Sequence, residues 1–308
     1  MAPGSEDAPP RLADRLRREV LLQERPDGGL ALLDPLTDRL LELSPRARRG
    51  LDRGDRLVEL ELARAGLLED PAAEALRARA FAARTREKPA PVRAGAPVEA
   101  DWALAEGLPD AIAAPWRDPE RWRRLAEDGA AGRRYLLLPG LVARDAARAI
   151  GEAVEALPWA RLETDLVKAH RRLLAGDEVR AWRDLMESAP LRALMGAALG
   201  RALPAGTVVN AWRLGAGDHM GVHPDGPQYH GTLSLGLCEG WTASQGGAIA
   251  FGEPSPGGGF AVSDRFLPHL GDACLFAPAN DTWHCVEPVT AGTRRSLTGW
   301  WVEPEHAL

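Results

Sequence analysis

Apolar and polar positions follow three different rhythms along this chain. Between Val20 and Leu43 the apolar runs are short (VLLQE, LALLD, DRLLEL) and are cut by Pro26-Asp27-Gly28-Gly29. Runs of this length broken at an Asp-Gly step predict a β-hairpin extended by a third strand. Ser44-Pro45 then couples an N-cap residue to a proline at the first helical position. A short helix is expected from Pro45 to about Leu51. A second, from about Arg56 to Ala65, stops at Gly66, and Asp70-Pro71 opens a third with Ala72, Leu76 and Ala80 on one face.

From Arg84 to about Trp116 the chain is rich in Pro and Ala and has little periodicity, so it reads as a linker or strap. Arg133 to Gly140 predicts a strand entering a turn. Asp145 to Leu157 predicts a helix, with Ala147, Ile150, Ala153 and Leu157 as its stripe. A further helical section from Asp184 to about Leu199 is broken or kinked at Pro190. After Leu203 the helical stripes stop. Seven or eight apolar runs separated by glycines follow: TVVNAWRL, GTLSLGLCE, GGAIAFGE, FAVSD, DACLFAP, WHCVEPV and SLTGWWVE. That spacing predicts an all-β barrel or sandwich. The domain boundaries expected are a small N-terminal winged-helix-like or capping domain at 1–85, a linker or strap at 86–130 and a β-rich domain at 131–308. Loops at 160–184, 215–222 and 252–266 are expected to shape a substrate pocket.

Composition narrows the function classes. At 308 residues the chain can bury more than one core, and its net charge of -6 argues against nucleic acid as an obligate partner. The segment MAPGSEDAPPRLADRLRREV has no apolar run behind a basic stub and does not read as a secretory signal. No stretch approaches the length of an apolar membrane span, so no membrane association is expected and a cytoplasmic location follows by default. Cys238, Cys274 and Cys285 form no close pair and read as free thiols on apolar strands.

The chemistry lies in the last ninety residues. His223-Pro224-Asp225 offers an imidazole and a carboxylate two residues apart. In an extended segment these point to one side, so both can reach one ion. His284 follows 59 residues after Asp225, and Arg294 ten residues later. Two His and one carboxylate with open positions suit non-haem Fe(II) and oxygen chemistry. Arg294 shares strand parity with Ser296 and Thr298, so an inward guanidinium could hold a carboxylate with help from Ser296, leaving Arg295 outward. His219 also precedes His223, but Gly215, Gly217 and Gly221 surround it and place it in a loop near the mouth. His230 begins the next strand and, with His219, is a candidate substrate contact. A polar turn without metal, and a surface ion pair for Arg294, are the plainer readings of these residues.

Taken together, residues 133–302 resemble the 2-oxoglutarate- and Fe(II)-dependent oxygenases, in the prolyl 4-hydroxylase-like branch. The pieces that carry the resemblance are VVNAWRLGAG before His223 and Asp225, GTLSLGLCEGW followed by Gly246-Gly247-Ala248-Ile249-Ala250-Phe251, then Pro268, Gly271, Asp272 and Phe276, and WHCVEPVTAGTRRSL. The resemblance implies a double-stranded β-helix (jelly-roll) domain, mainly β with flanking helices from 141–202, beside the small α+β N-terminal domain. It implies Fe(II) on His223, Asp225 and His284, with 2-oxoglutarate and O2 as co-substrates, Arg294 on the far carboxylate and ascorbate as a stimulant. The product would be a hydroxylated carbon of a peptide, amino acid or natural product, released with succinate and CO2. Asp225 occupies the position that a halide would need. Trp212 stands where this branch often has a Tyr that bonds 2-oxoglutarate. Asn210, on the same strand face, joins Trp212, Ser234 and Ser296 as candidate co-substrate contacts.

The N-terminal hairpin and helices resemble the PqqD-like peptide-recognition elements, which implies a leader peptide added to a sheet edge. A structural cap is the alternative. For the chain as a whole, a 2-oxoglutarate-independent metal enzyme of cupin type, or a peptide-binding protein with a degenerate oxygenase domain, remain as competitors. Arg294 discriminates, since the cupin-type enzyme needs no carboxylate clamp.

Overall fold

A computed structural model of the chain describes residues 12–16, 20–34, 39–68, 100–131, 133, 135–156, 159–163, 166–173, 179–226, 229–254, 260–278 and 282–304. These fall into two units, Met1–Ala83 and Arg84–Leu308.

The first unit is built on the hairpin. Strands β1 (Leu21–Glu24), β2 (Leu30–Asp34) and β3 (Arg39–Leu43) form an antiparallel meander in that order. Gly28 turns the first hairpin at φ 81°, a conformation that costs glycine nothing. Period-two placement buries Leu30, Leu32 and Leu43 against Leu51, Val58 and Leu62 of two helices. These are α1 (Pro45–Arg53) and α2 (Arg56–Ala65). The Ser44 hydroxyl accepts from Ala47 N at 3.3 Å and caps α1, a contact of about 1 kcal/mol. Gly66, at φ 72°, ends α2 in the left-handed conformation. The third helix expected after Asp70, and residues 86–99 of the expected strap, lie outside the described residues.

The rest of the expected strap is not one. Residues Trp102–Gly107 and Ala114–Arg117 are short helical turns, and α3 spans Pro119–Ala130. Trp116 and Trp122 are buried and their rings lie 5.2 Å apart in the main core. A few large anchors hold this segment, and anchors separated by Pro and Ala leave no period to read. Helices α4 (Arg144–Glu155), α5 (Arg180–Glu187) and α6 (Ala189–Ala198) add to the same core. Pro190 sits in the first turn of α6, where its missing N–H costs nothing, and so separates α5 from α6.

The β-rich part is an antiparallel sheet curled on itself. Its strands are β4 (Tyr135–Leu138), β5 (Ala160–Glu163), β6 (Val167–Leu173), β7 (Gly206–Leu214), β8 (His219–His223) and β9 (Gly231–Gly236). Then follow β10 (Ile249–Pro254), β11 (Phe260–Phe266), β12 (Ala273–Phe276), β13 (Trp283–Val286) and β14 (Arg294–Val302). The order is β11-β10-β13-β8-β6-β7-β14-β9-β12-β4, with β5 on β6. Two four-stranded runs, β11-β10-β13-β8 and β7-β14-β9-β12, are therefore joined through β6 into a nearly closed jelly-roll barrel.

Two expectations are corrected here. Residues 160–163 and 167–173 are strands, not loop or outer helix. Val167, Ala169 and Arg171 are buried in alternation, and an arginine at an inward position disguised the period. His219 opens strand β8 rather than lying in a loop. A Cβ on Gly221 would lie 2.8 Å from Leu166 Cδ1, and Gly221 N donates to Leu166 O at 2.6 Å. The glycine is there for close strand approach, which a sequence reader takes for a turn signal. No helix among the described residues is long and apolar enough to cross a membrane.

Candidate active site

Strand register assembles the site. His284 on β13 stands opposite His223 at the end of β8. Asp225 follows two residues later, past Pro224. One ligand atom from each of His223, Asp225 and His284 lies within 4.8 Å of the others, and all three residues are buried.

The atoms not turned toward this point are all tied down. His223 Nδ1 contacts Gly221 O at 2.8 Å, and His284 Nδ1 contacts Thr282 O at 3.0 Å. A carbonyl oxygen can only accept, so each Nδ1 carries a hydrogen, which leaves Nε2 as the nitrogen that could ligate a metal. Asp225 Oδ2 accepts from Thr232 Oγ1 at 2.5 Å and from Trp300 Nε1 at 3.0 Å. Its Oδ1 remains, 3.9 Å from His284 Nε2. Burial, reinforced by the neighbouring His284, pushes the His223 pKa down to about 4, so the imidazole is neutral and ready to ligate. Phe251 and Phe276 rings lie 5.9 and 4.9 Å from the His284 ring and keep water off this side. Two Nε2 atoms and one carboxylate oxygen, oriented by fixed hydrogen bonds, fit a divalent iron ion with open positions.

The same cavity ends in a cation. Arg294, Ser296, Thr298 and Trp300 line it from β14 by strict alternation, with Trp212, Ser234, Thr232, Phe276 and the three ligand residues. Arg294 is 1% exposed. Its Nε donates to Gly247 O at 2.7 Å and its Nη1 to Ser296 Oγ at 2.6 Å. Among the described residues no carboxylate pairs with it. Burial pulls its pKa down from the ordinary arginine value, yet a guanidinium remains charged. A buried cation without a counter-charge calls for an anionic ligand.

The other candidates divide. Trp212 lines the cavity and lies under Arg171, whose guanidinium carbon is 5.3 Å from the ring centre. Asn210 is buried, with its side-chain oxygen unpartnered among the described residues, but it is not part of the cavity lining. His219 and His230 do not line it either. His219 Nδ1 lies 3.4 Å from Gly217 O, and His230 Nε2 lies 3.1 Å from Glu303 Oε1. Arg295 faces outward toward Glu155. Cys238, Cys274 and Cys285 are unpaired, and burial pushes the Cys285 thiol up to about 11. The sequence reading did not single out Thr232 or Trp300 as supports of Asp225. Parity with Ser234 and with Arg294 was the available signal.

The comparisons agree with this geometry. Residues 209–302 match the family model of the 2OG-Fe(II) oxygenase superfamily, a span that contains every residue of the proposed site. That stretch of the β-rich unit is therefore similar to that superfamily. Among solved structures, a prolyl hydroxylase from Trichoplax adhaerens, in complex with a hypoxia inducible factor oxygen degradation domain peptide fragment, is 13% identical with a TM-score of 0.50, over 60% of this chain and 92% of that one. A prolyl-4-hydroxylase from Pseudomonas putida is 18% identical with a TM-score of 0.47, over 59% of this chain and 98% of that one. A 2OG-Fe(II) oxygenase family oxidoreductase from Burkholderia pseudomallei is 17% identical with a TM-score of 0.46, over 61% and 94%. At these identities the likeness is one of fold. No curated protein matches the sequence.

Proposed function

We propose that this protein is a 2OG-Fe(II) oxygenase, a hydroxylase that inserts oxygen into a carbon of a peptidyl side chain, coupled to conversion of 2-oxoglutarate to succinate and CO2. The observation that carries the co-substrate reading is Arg294. It is a fully buried, uncompensated cation in the same cavity as the His223–Asp225–His284 group. A cupin-type metal enzyme would have no use for it.

The residues divide the work. His223, Asp225 and His284 would hold Fe(II), and bound iron supplies oxygen activation. Arg294 and Ser296 would receive the far carboxylate of 2-oxoglutarate, whose other end chelates the metal. Trp212 and Ser234, which line the same cavity, would flank that ligand. Thr232 and Trp300 hold Asp225 to one ligating oxygen, which keeps a position open. Phe251, Phe276, Ile249 and Val286 exclude water, which limits turnover without substrate.

Two observations support a peptidyl substrate. A groove of roughly 660 Å³ is lined by Arg133, Tyr135, Phe251, Glu253, Ser263 and Trp283 among others, and Phe251 separates it from His284. Its mixed aromatic and polar wall suits an extended chain. The Trichoplax adhaerens neighbour of the same fold holds a peptide fragment. In the N-terminal unit, β1 and β3 are each paired on one side only among the described residues, and Leu22, Leu57 and Leu60 are exposed. We extend the proposal to capture of a leader peptide by this unit. A reducing, cytoplasmic setting suits three unpaired thiols and a ferrous site.

The decisive experiment is anaerobic addition of Fe(II) and 2-oxoglutarate to the apoprotein. A visible metal-to-ligand charge-transfer band is expected, and Arg294→Ala should weaken 2-oxoglutarate binding about a hundredfold or more, as for truncating one partner of a buried charge pair. Absence of the band, with no succinate formed in air, would overturn the reading. Peptide libraries scored for gain of one oxygen by mass spectrometry test the substrate class.

A further inference from the structure

Arg294 reaches the cavity alongside two consecutive glycines. Gly246 takes φ 67° and ψ -152°, a region open essentially to glycine alone. Gly247 takes φ 68°. The space around both is closed. A Cβ on Gly246 would lie 2.2 Å from Pro288 O. One on Gly247 would lie 3.0 Å from Val289 Cγ2 and 3.1 Å from Arg294 Cδ. The segment is also fastened: Gly247 N donates to Pro288 O at 3.2 Å, and Trp241 Nε1 donates to Gly246 O at 3.0 Å.

Gly247 therefore supplies two things to Arg294. Its missing side chain leaves room for the arginine stem, and its carbonyl takes the Nε hydrogen at 2.7 Å. A guanidinium presents five N–H donors in one plane. A carboxylate can dock side-on, across Nε and one Nη, or end-on, across both Nη atoms. With Nε committed to Gly247, the side-on edge is closed. One Nη1 hydrogen goes to Ser296, which leaves the other Nη1 hydrogen and both Nη2 hydrogens. The Ser296 hydroxyl accepts from Nη1, so its own hydrogen is available to the same anion.

We propose that Gly247 is a positioning residue for the acidic co-substrate: its bare, fastened peptide fixes Arg294 so that the carboxylate is received end-on, by Nη1 and Nη2. The proposal rests on the reading of Arg294 as the co-substrate clamp and adds how that clamp is aimed.

The test uses the full-length chain. Fe(II)-loaded wild type and Gly247→Ala are titrated anaerobically with 2-oxoglutarate, and the charge-transfer band gives Kd. Gly247→Ala keeps the carbonyl but sets a Cβ 3.1 Å from Arg294 Cδ, which displaces the arginine stem, and is expected to weaken 2-oxoglutarate about tenfold to a hundredfold, the range for disrupting a hydrogen bond to a charged group. Fe(II) binding alone, followed by tryptophan fluorescence, should match wild type, and KM for 2-oxoglutarate should rise more than kcat falls. If wild type shows no band, the co-substrate reading itself fails. If wild type shows the band and the variant binds 2-oxoglutarate with unchanged Kd, the Gly247 proposal alone is overturned. A crystal structure of wild type with Mn(II) and 2-oxoglutarate reads the geometry without any substitution. Nη1 and Nη2 on the carboxylate, with Nε still on Gly247 O, supports the proposal. A carboxylate on Nε overturns it.

Discussion

The two ends of the inner cavity are built by the same method with opposite charge. At the metal end, two imidazoles and one carboxylate converge, and each atom that does not face the centre is occupied by a backbone carbonyl, Thr232 or Trp300. At the other end a single cation is held by Gly247 and Ser296, with the remainder of its donors turned inward. One end awaits a cation and the other an anion. Both are buried, so each carries an unmet electrostatic demand in the empty protein. A small dicarboxylate that chelates the metal satisfies both at once. The difference also lies in redundancy: three residues would share a metal, while one would carry the anion.

Removing a metal ligand should have the largest effect. Asp225→Ala is expected to abolish Fe(II) binding and turnover, measured by anaerobic metal titration, while Arg294→Ala leaves Fe(II) binding intact. Equal loss of metal in both variants would erase the distinction between the two ends.

Acid should attack the metal end selectively in the apoprotein. The folded-state pKa of His223 is about 4 against an ordinary 6.5, so between these values the unfolded chain binds the extra proton. Stability is thus level above about pH 6.5 and falls as pH drops toward 4, by about 3 kcal/mol in all. Urea unfolding of metal-free protein at stepped pH checks this, and a flat profile would contradict it. Trp300→Phe removes one of two hydrogen bonds to Asp225 Oδ2 and should weaken Fe(II) about tenfold while Thr232 holds the carboxylate. Isothermal titration with Mn(II) measures it, and no change would mean that Thr232 alone orients Asp225. Arg295→Ala, next to the clamp but on the outer face, should change 2-oxoglutarate Kd not at all and stability by no more than about 0.5 kcal/mol. A large loss of affinity would show that parity on β14 had been misassigned.

Much of this site was legible because strands make parity a local property. Residues 223 and 225, or 294, 296, 298 and 300, share a side by the pleat alone, and the structure places each of these in one cavity. The helix ends at Ser44, Gly66 and Pro190 were equally local, since caps and prolines act within one turn. What was misread depended on partners far along the chain. Gly221 looked like a turn residue until Leu166 was seen against it, and β6 hid its alternation behind Arg171. Residues 102–130 looked like a strap because Trp116 and Trp122 earn their burial from elements distant in sequence.

By itself the sequence determined the donor types, their order and the side of each strand they occupy, since those follow from chemistry and a period of two. Only the tertiary structure decided that His284 meets His223, that Thr232 and Trp300 leave Asp225 one free oxygen, and that Arg294 shares their cavity with no carboxylate beside it among the described residues. Register between strands dozens of residues apart sets those contacts, and register is fixed by the packing of the whole barrel rather than by any segment within it.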